Sequence, residues 1–139
     1  MIGILILAPK SMGQGLVEAA THILGATPPQ IELLAVSDTI ETLKHLRVDA
    51  QEAIYRLDTG EGVIILADIF GASHTNEACR LLQPGRVDLV SGVNLPMLVR
   101  ALNHRQLRLD ALVTKASSGG RDGIVCASHR TTNTNPDAA

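Results

Sequence analysis

Aromatic residues are almost missing from this 139-residue chain, which has one Tyr, one Phe and no Trp. Its core must therefore be built from Ile, Leu, Val and Ala, and hydrophobic residues at 45 % suffice for one at this length. Such side chains suit parallel strands buried on both faces better than an aromatic-rich β-sandwich. Cysteine is also scarce: Cys79 and Cys126 match no metal-ligand spacing and read as reduced thiols of a cytosolic protein. No cluster of Lys and Arg forms a stripe, and the formal net charge is −2, which argues against a nucleic-acid binder. No apolar run is long enough to cross a bilayer. The first one, Ile2–Leu7, lacks a basic leader and a small-residue cleavage site, so a soluble, cytoplasmic protein is expected. Walker-type loops, dinucleotide fingerprints and nucleophile elbows are missing too. His22, His45 and His104 have no spaced carboxylate or cysteine cluster and read as surface residues, and His129 falls in a polar tail. Neither a metal nor a cofactor is expected.

What remains is an alternation of strand-like and helix-like segments. Ile2–Leu7, Ile31–Val36, Val63–Ala67 and Val87–Val90 are short apolar runs of strand length. Between and after them the spacing predicts helices over Gln14–Leu24, from about Asp38 to Leu57, His74–Leu82, Leu95–Asn103 and Asp110–Ala116. Asp38 followed by Glu41 has the spacing of a capping box. Asn94 is placed to cap the helix that carries Pro96. Gly119-Gly120 reads as a break, with Gly123–Cys126 as a short last strand and 127–139 as a disordered tail beyond a domain of residues 1–126. Strands separated by helices imply βαβ crossovers and a mostly parallel sheet. Sites in such sheets lie past the carboxyl ends of the strands, at the switch in strand order. The loops to inspect are Ala8–Gly13, Asp68–Asn76 and Ser91–Pro96.

Those loops carry a resemblance. Asp68-Ile69-Phe70-Gly71-Ala72-Ser73-His74-Thr75-Asn76 resembles the Asp-x-Phe-Gly-Gly-Ser/Thr-Pro-x-Asn segment of the enzyme IIA components of mannose/fructose-type sugar phosphotransferase systems. Gly92-Val93-Asn94-Leu95-Pro96-Met97-Leu98 is similar to that family's Gly-Val-Asn-Leu-Pro-Met-Leu without change. The start, Ile2–Ile6 followed by Met12–Leu16, and the late Gly119-Gly120-Arg121-Asp122-Gly123-Ile124 also resemble family segments, so that four matches in order span roughly residues 1–126. The resemblance implies an open, doubly wound α/β sheet of four parallel strands in order 2-1-3-4 plus a short fifth strand, with helices on both faces. It implies phosphoryl relay from a histidine-containing phosphocarrier protein to a IIB partner during sugar uptake through a membrane complex. It further implies a homodimer, with the last strand often exchanged between subunits.

Phosphoryl transfer needs an attacking atom with a free lone pair, in line with the leaving group. Neutral imidazole supplies one near neutral pH, and a carboxylate on the other ring nitrogen fixes the tautomer. The resemblance places that carboxylate at Asp68, with Ser73 donating a hydroxyl to imidazole or phosphate. It places the histidine at position 9, where this chain has Pro9, with no nucleophilic side chain and no N–H. Where the family usually has proline, this chain has His74. His74 is therefore the candidate phosphoryl carrier, with Asp68 and Ser73 as its catalytic partners. The other reading makes His74 an exposed helix-start residue in a protein that has lost the reaction and regulates phosphotransferase partners. Lys10, Ser11, Gly71 and Asn76 are candidate phosphate-binding residues, and a small-anion binder built on Lys10 and Ser11 is a third reading. Lys10 is equally a solvated loop charge, and Asp68 a strand-end residue capping the next turn.

Overall fold

The computed structural model describes residues 1–37 and 39–132. Its elements are β1 (Gly3–Ala8), α1 (Lys10–Leu24), β2 (Ile31–Ala35), α2 (Ile40–Leu57), β3 (Val63–Ala67), α3 (Ser73–Cys79), β4 (Val87–Ser91), α4 (Leu95–Asn103) and α5 (Leu109–Asp122), followed by a 3₁₀ segment over Ala127–Thr132. The four strands form one parallel sheet in the order β2-β1-β3-β4. The expected α/β architecture and strand order are those observed.

Helices cover both faces because alternate residues of the central strands are all apolar. Ile4, Ile6 and Ala8 of β1 pack with Ile64 and Leu66 of β3 against Ala20 of α1, Leu98 of α4 and Leu112 of α5. Leu5 and Leu7 point the other way and meet Val63 and Ile65 of β3, Leu46, Ala53 and Leu57 of α2, and Ala78 of α3. Every residue of β1 and β3 is buried, and each large side chain so buried contributes roughly 1.5–3 kcal/mol.

Several expected boundaries move. The helix expected from Gln14 begins at Lys10, directly after Pro9, whose carbonyl accepts from the Gly13 N–H at 3.0 Å. The helix expected from His74 to Leu82 is shorter, ending at Cys79, where Arg80 and Leu81 turn back onto Glu77 and Ala78 through tight backbone bonds. Thr39 caps α2, its Oγ1 accepting from the Thr42 N–H at 3.2 Å; Asp38, the cap expected from spacing, lies outside the described residues.

The largest correction is at the carboxyl end. Gly119 and Gly120 do not break α5 but lie buried within it. A methyl on Gly119 would meet Arg100 Cβ at 2.7 Å, and one on Gly120 would meet Met97 Cε at 2.9 Å, so both glycines permit the close approach of α5 to α4. Asn94 joins the same contact: it caps α4 as expected, accepting from Met97 N–H at 2.9 Å, and its amide donates to the Gly120 carbonyl at 3.1 Å. With α5 extended to Asp122, residues 123–126 form no fifth strand; Ile124 N–H closes onto Arg121. Residues 127–132 form a 3₁₀ segment where a disordered tail was expected, and the rest of that expectation, 133–139, lies outside the described residues. Cys79 and Cys126 are free thiols. No described helix is long and apolar enough to cross a membrane.

The end of the sheet remote from the strand carboxyl ends is clipped by one side chain. Arg105, buried in the α4–α5 connection, donates from Nε to Ile2 O at 2.9 Å, from Nη1 to Pro29 O at 2.6 Å and from Nη2 to Gln30 O at 2.6 Å. Burial draws its pKa below the usual arginine value, yet a guanidinium keeps its charge in a protein. It thereby ties the entries of β1 and β2 to the far helices. Arg105→Met keeps the apolar stem but removes a donor from three carbonyls, of which Gln30 O still accepts from the Ile4 N–H at 3.2 Å; a loss of about 3–5 kcal/mol in urea unfolding is expected, and a loss under about 1 kcal/mol would show that water replaces the clip.

Asp58 turns the chain from α2 into β3. Burial alone would raise its carboxyl pKa, but N–H bonds from Gly60 at 2.8 Å and Gly62 at 3.0 Å, together with Arg86, outweigh it and hold the carboxyl below its ordinary range. A lowered native pKa stabilises the fold above the unfolded carboxylate value of about 3.9 and loses that contribution as pH falls through the native value. Asp58→Asn is therefore expected to flatten the acid limb of the stability–pH curve below about pH 4, measured by urea midpoints across that range.

Candidate functional site

The strand order puts the carboxyl ends of β2, β1 and β3 side by side, and the backbone continues that contact past the strands. Asp68 N–H donates to Leu7 O at 3.1 Å, and Val36 N–H to Ala8 O at 3.1 Å. Asp68 is thus held at the mouth of β3 beside the end of β1.

The β3–α3 loop then folds back on itself. Gly71 adopts φ +88°, a left-handed conformation that side chains rarely take. Thr75, fully buried, donates its hydroxyl to Ile69 O at 2.7 Å, and Asn76 N–H bonds Ala72 O at 2.9 Å. The Asn76 amide donates to Gly71 O at 3.4 Å. These bonds close the loop and swing the first turn of α3 toward Asp68. There the His74 Nε2 lies 2.6 Å from Asp68 Oδ1, with both side chains more than four-fifths shielded from solvent. The same carboxylate oxygen accepts from Ile69 N–H at 2.8 Å, so Asp68 both caps its turn and grips the ring.

His74 and Asp68 open into a cleft of about 390 Å³ whose other lining residues include Ser37, Thr39, Ile40, Ile69 and Ser73. The hydroxyls of Ser37, Thr39 and Thr42 bond one another at the amino end of α2, at 2.7 to 3.3 Å. Ile40 and Ile69 of this lining stand exposed, and so does Phe70, the next residue of the loop after Ile69.

The structure therefore joins three of the sequence-identified residues, His74, Asp68 and Ser73, in one cleft. Gly71 lies in the loop that frames it and Asn76 in the first turn of α3, bonded to each other. Lys10 is elsewhere: it lines a separate groove between α1 and β2 with Gln14, Val17 and Leu33. The reason is topological, since α1 lies on the sheet face with α4 and α5, whereas α2 and α3 cover the other. Ser11 and Pro9 are exposed at the start of α1. Ser37 and Thr39 escaped sequence reasoning. The signal that would have found them is the same strand-end rule applied to β2, whose following loop supplies this wall of the cleft. Among the described residues no group of three or more His, Cys, Asp or Glu side chains is arranged to hold a metal.

This fold and these segments have known relatives. The PTS system mannose-specific EIIAB component of Escherichia coli (strain K12) is 39% identical over 72 residues, which cover 50% of this chain and 22% of that protein, and the same holds for the Shigella flexneri protein of that description. The matched region is thus less than a quarter of those relatives. Among solved structures, the phosphotransferase system component EIIA from Streptococcus agalactiae superposes with a TM-score of 0.78 at 24% identity, over 92% of this chain and 98% of that one. The mannose/sorbose specific IIA subunit from Enterococcus faecalis gives a TM-score of 0.78 at 15% identity, over 90% and 93% of the two chains. At these identities both likenesses speak for the fold. The family model for the PTS system fructose IIA component matches residues 3–117, and with the shared sheet and loops this places the chain as a member of that IIA family.

Proposed function

We propose that this chain is a IIA-type phosphoryl carrier in which His74 performs the task that Pro9 cannot. In this reading it accepts a phosphoryl group from a histidine-containing phosphocarrier protein and passes it to a IIB partner during sugar uptake. It works in the cytoplasm as a homodimer, at most peripheral to a membrane sugar permease. The observation that carries the reading is the 2.6 Å bond between His74 Nε2 and Asp68. A carboxylate on one ring nitrogen fixes the tautomer and raises the basicity of the other, which is what a nucleophilic imidazole requires. His74 is then the nucleophile and Asp68 the positioning residue. The Ser73 hydroxyl, in the same cleft, binds a phosphoryl oxygen. Gly71 and Asn76 shape the loop around the phosphoryl group, and Lys10 and Ser11 meet it only if the partner draws it past the end of β1.

The exposed Ile40, Ile69 and Phe70 fit this reading, because an apolar rim around a polar cleft suits transient docking of another protein. A second reading keeps the docking and drops the chemistry. It rests on Pro9: the chain would be a non-catalytic IIA relative that binds the phosphocarrier or a IIB domain and regulates it.

One assay separates the two. Incubation of the pure protein with phosphoenolpyruvate and the general phosphotransferase proteins is expected to add the mass of one acid-labile phosphoryl group. That gain is expected to vanish in His74→Gln and to persist in Pro9→Ala. A chain that binds the phosphocarrier yet gains no mass would establish the regulatory reading instead. Phe70→Glu is expected to raise the concentration of phosphocarrier needed for half-maximal transfer by about tenfold, with the maximal rate little changed. A reduced maximal rate at unchanged half-saturation would place Phe70 in the chemistry and not at the docking rim.

A further inference from the structure

The carrier reading leaves open which ring nitrogen holds the phosphoryl group, and the bond to Asp68 bears on it directly. An ionised carboxylate only accepts hydrogen bonds. Contact with Nε2 at 2.6 Å therefore keeps a proton on Nε2, and in the neutral ring the lone pair is left on Nδ1. Nδ1 has no hydrogen-bond partner among the described residues. No side-chain nitrogen or oxygen buried among those residues lacks a partner, so Nδ1 is reached by solvent. The ring lines a cleft with the hydroxyl residues Ser37, Thr39 and Ser73, each able to donate to a phosphoryl oxygen.

On the reading that His74 is the carrier, we infer that the phosphoryl group is carried on Nδ1 of that ring, while Nε2 keeps its proton and its bond to Asp68. The step balances without any further reactant. The donor is a phosphohistidine, a phosphoramidate whose ring is protonated on its other nitrogen. The Nδ1 lone pair of His74 forms the new N–P bond, the donor's N–P bond breaks, and the donor imidazole leaves neutral with that electron pair. The His74 ring then carries the positive charge that the donor ring has lost. Asp68 faces that charge through the Nε2–H, so the carboxylate favours the phosphorylated ring over the free one. Transfer onward to a IIB partner is the same exchange reversed. Attack through Nε2 would instead require the ring to leave Asp68 and its proton to move to Nδ1.

The test uses the full chain with ¹⁵N-labelled histidines, phosphoenolpyruvate and the general phosphotransferase proteins, held at mildly alkaline pH because the product is acid-labile. Phosphorus–nitrogen coupling in the NMR spectrum reports the bonded nitrogen. Coupling to Nδ1 of a single histidine, lost in His74→Gln, is expected. Asp68→Ala, which releases Nε2, is expected to divide the label between the two nitrogens, a change of isomer that loss of rate alone would not produce. Coupling to Nε2 of His74 in the unaltered chain overturns this inference and leaves the carrier reading standing. A chain that gains no phosphoryl group, or gains one that survives His74→Gln, overturns the carrier reading and this inference with it. An Asp68→Ala protein labelled only on Nδ1 removes the carboxylate as the cause.

Discussion

Burial of β1 and β3 on both faces is the constraint from which the rest of the molecule follows. Leucine, isoleucine and valine fill both sides of these strands, so no polar side chain can be placed along them without a desolvation cost. Polar groups are displaced to the strand ends, and the two ends take different duties. At the amino end, the Arg105 guanidinium satisfies three carbonyls that helices do not reach. At the carboxyl end, the chain leaves the sheet through loops whose polar groups remain partly accessible, and Asp68 stands there beside the end of β1.

The Asp68–His74 pair is a consequence of this geometry joined to a short helix. α3 spans seven residues and begins only five positions after Asp68. The bonds of Thr75 to Ile69 and of Asn76 to Ala72 leave the loop little freedom to carry the ring elsewhere. A histidine at the second position of such a turn is delivered to the preceding strand-end carboxylate by backbone closure. The β1–α1 loop has no such arrangement, since Pro9 passes directly into α1 with its side chain exposed. Two neighbouring strand ends therefore offer unequal settings: one presents an aligned imidazole, the other a proline without a reactive group.

Much of this was legible in the residues. The short apolar runs marked all four strands, and their alternation with helices implied a parallel sheet. The Asp68–Asn76 segment marked the turn that holds the Asp68–His74 contact, and Gly92–Leu98 marked the turn in which Asn94 caps α4. Several misreadings share a cause, which is that glycine reports backbone freedom but not the reason for it. Gly119 and Gly120 looked like a helix end and are a packing contact between α4 and α5. Gly13 looked like loop and lies within α1. A short apolar stretch after α5 looked like a strand, yet residues 124–126 pair with no strand among the described residues.

What the sequence determined alone is what depends on local composition: strand and helix types, the apolar core, the absence of a reactive side chain at position 9 and the presence of an imidazole at 74. What only the tertiary structure decided is which side chains share a cleft. Lys10 lies across the sheet from α3 because α1 and α3 cover opposite faces, while Ser37 and Thr39, more than thirty positions from His74, line its cleft because β2 and β3 flank β1. Spacing along a chain carries no information about the face to which a crossover helix turns. That depends on how two apolar layers close over one sheet.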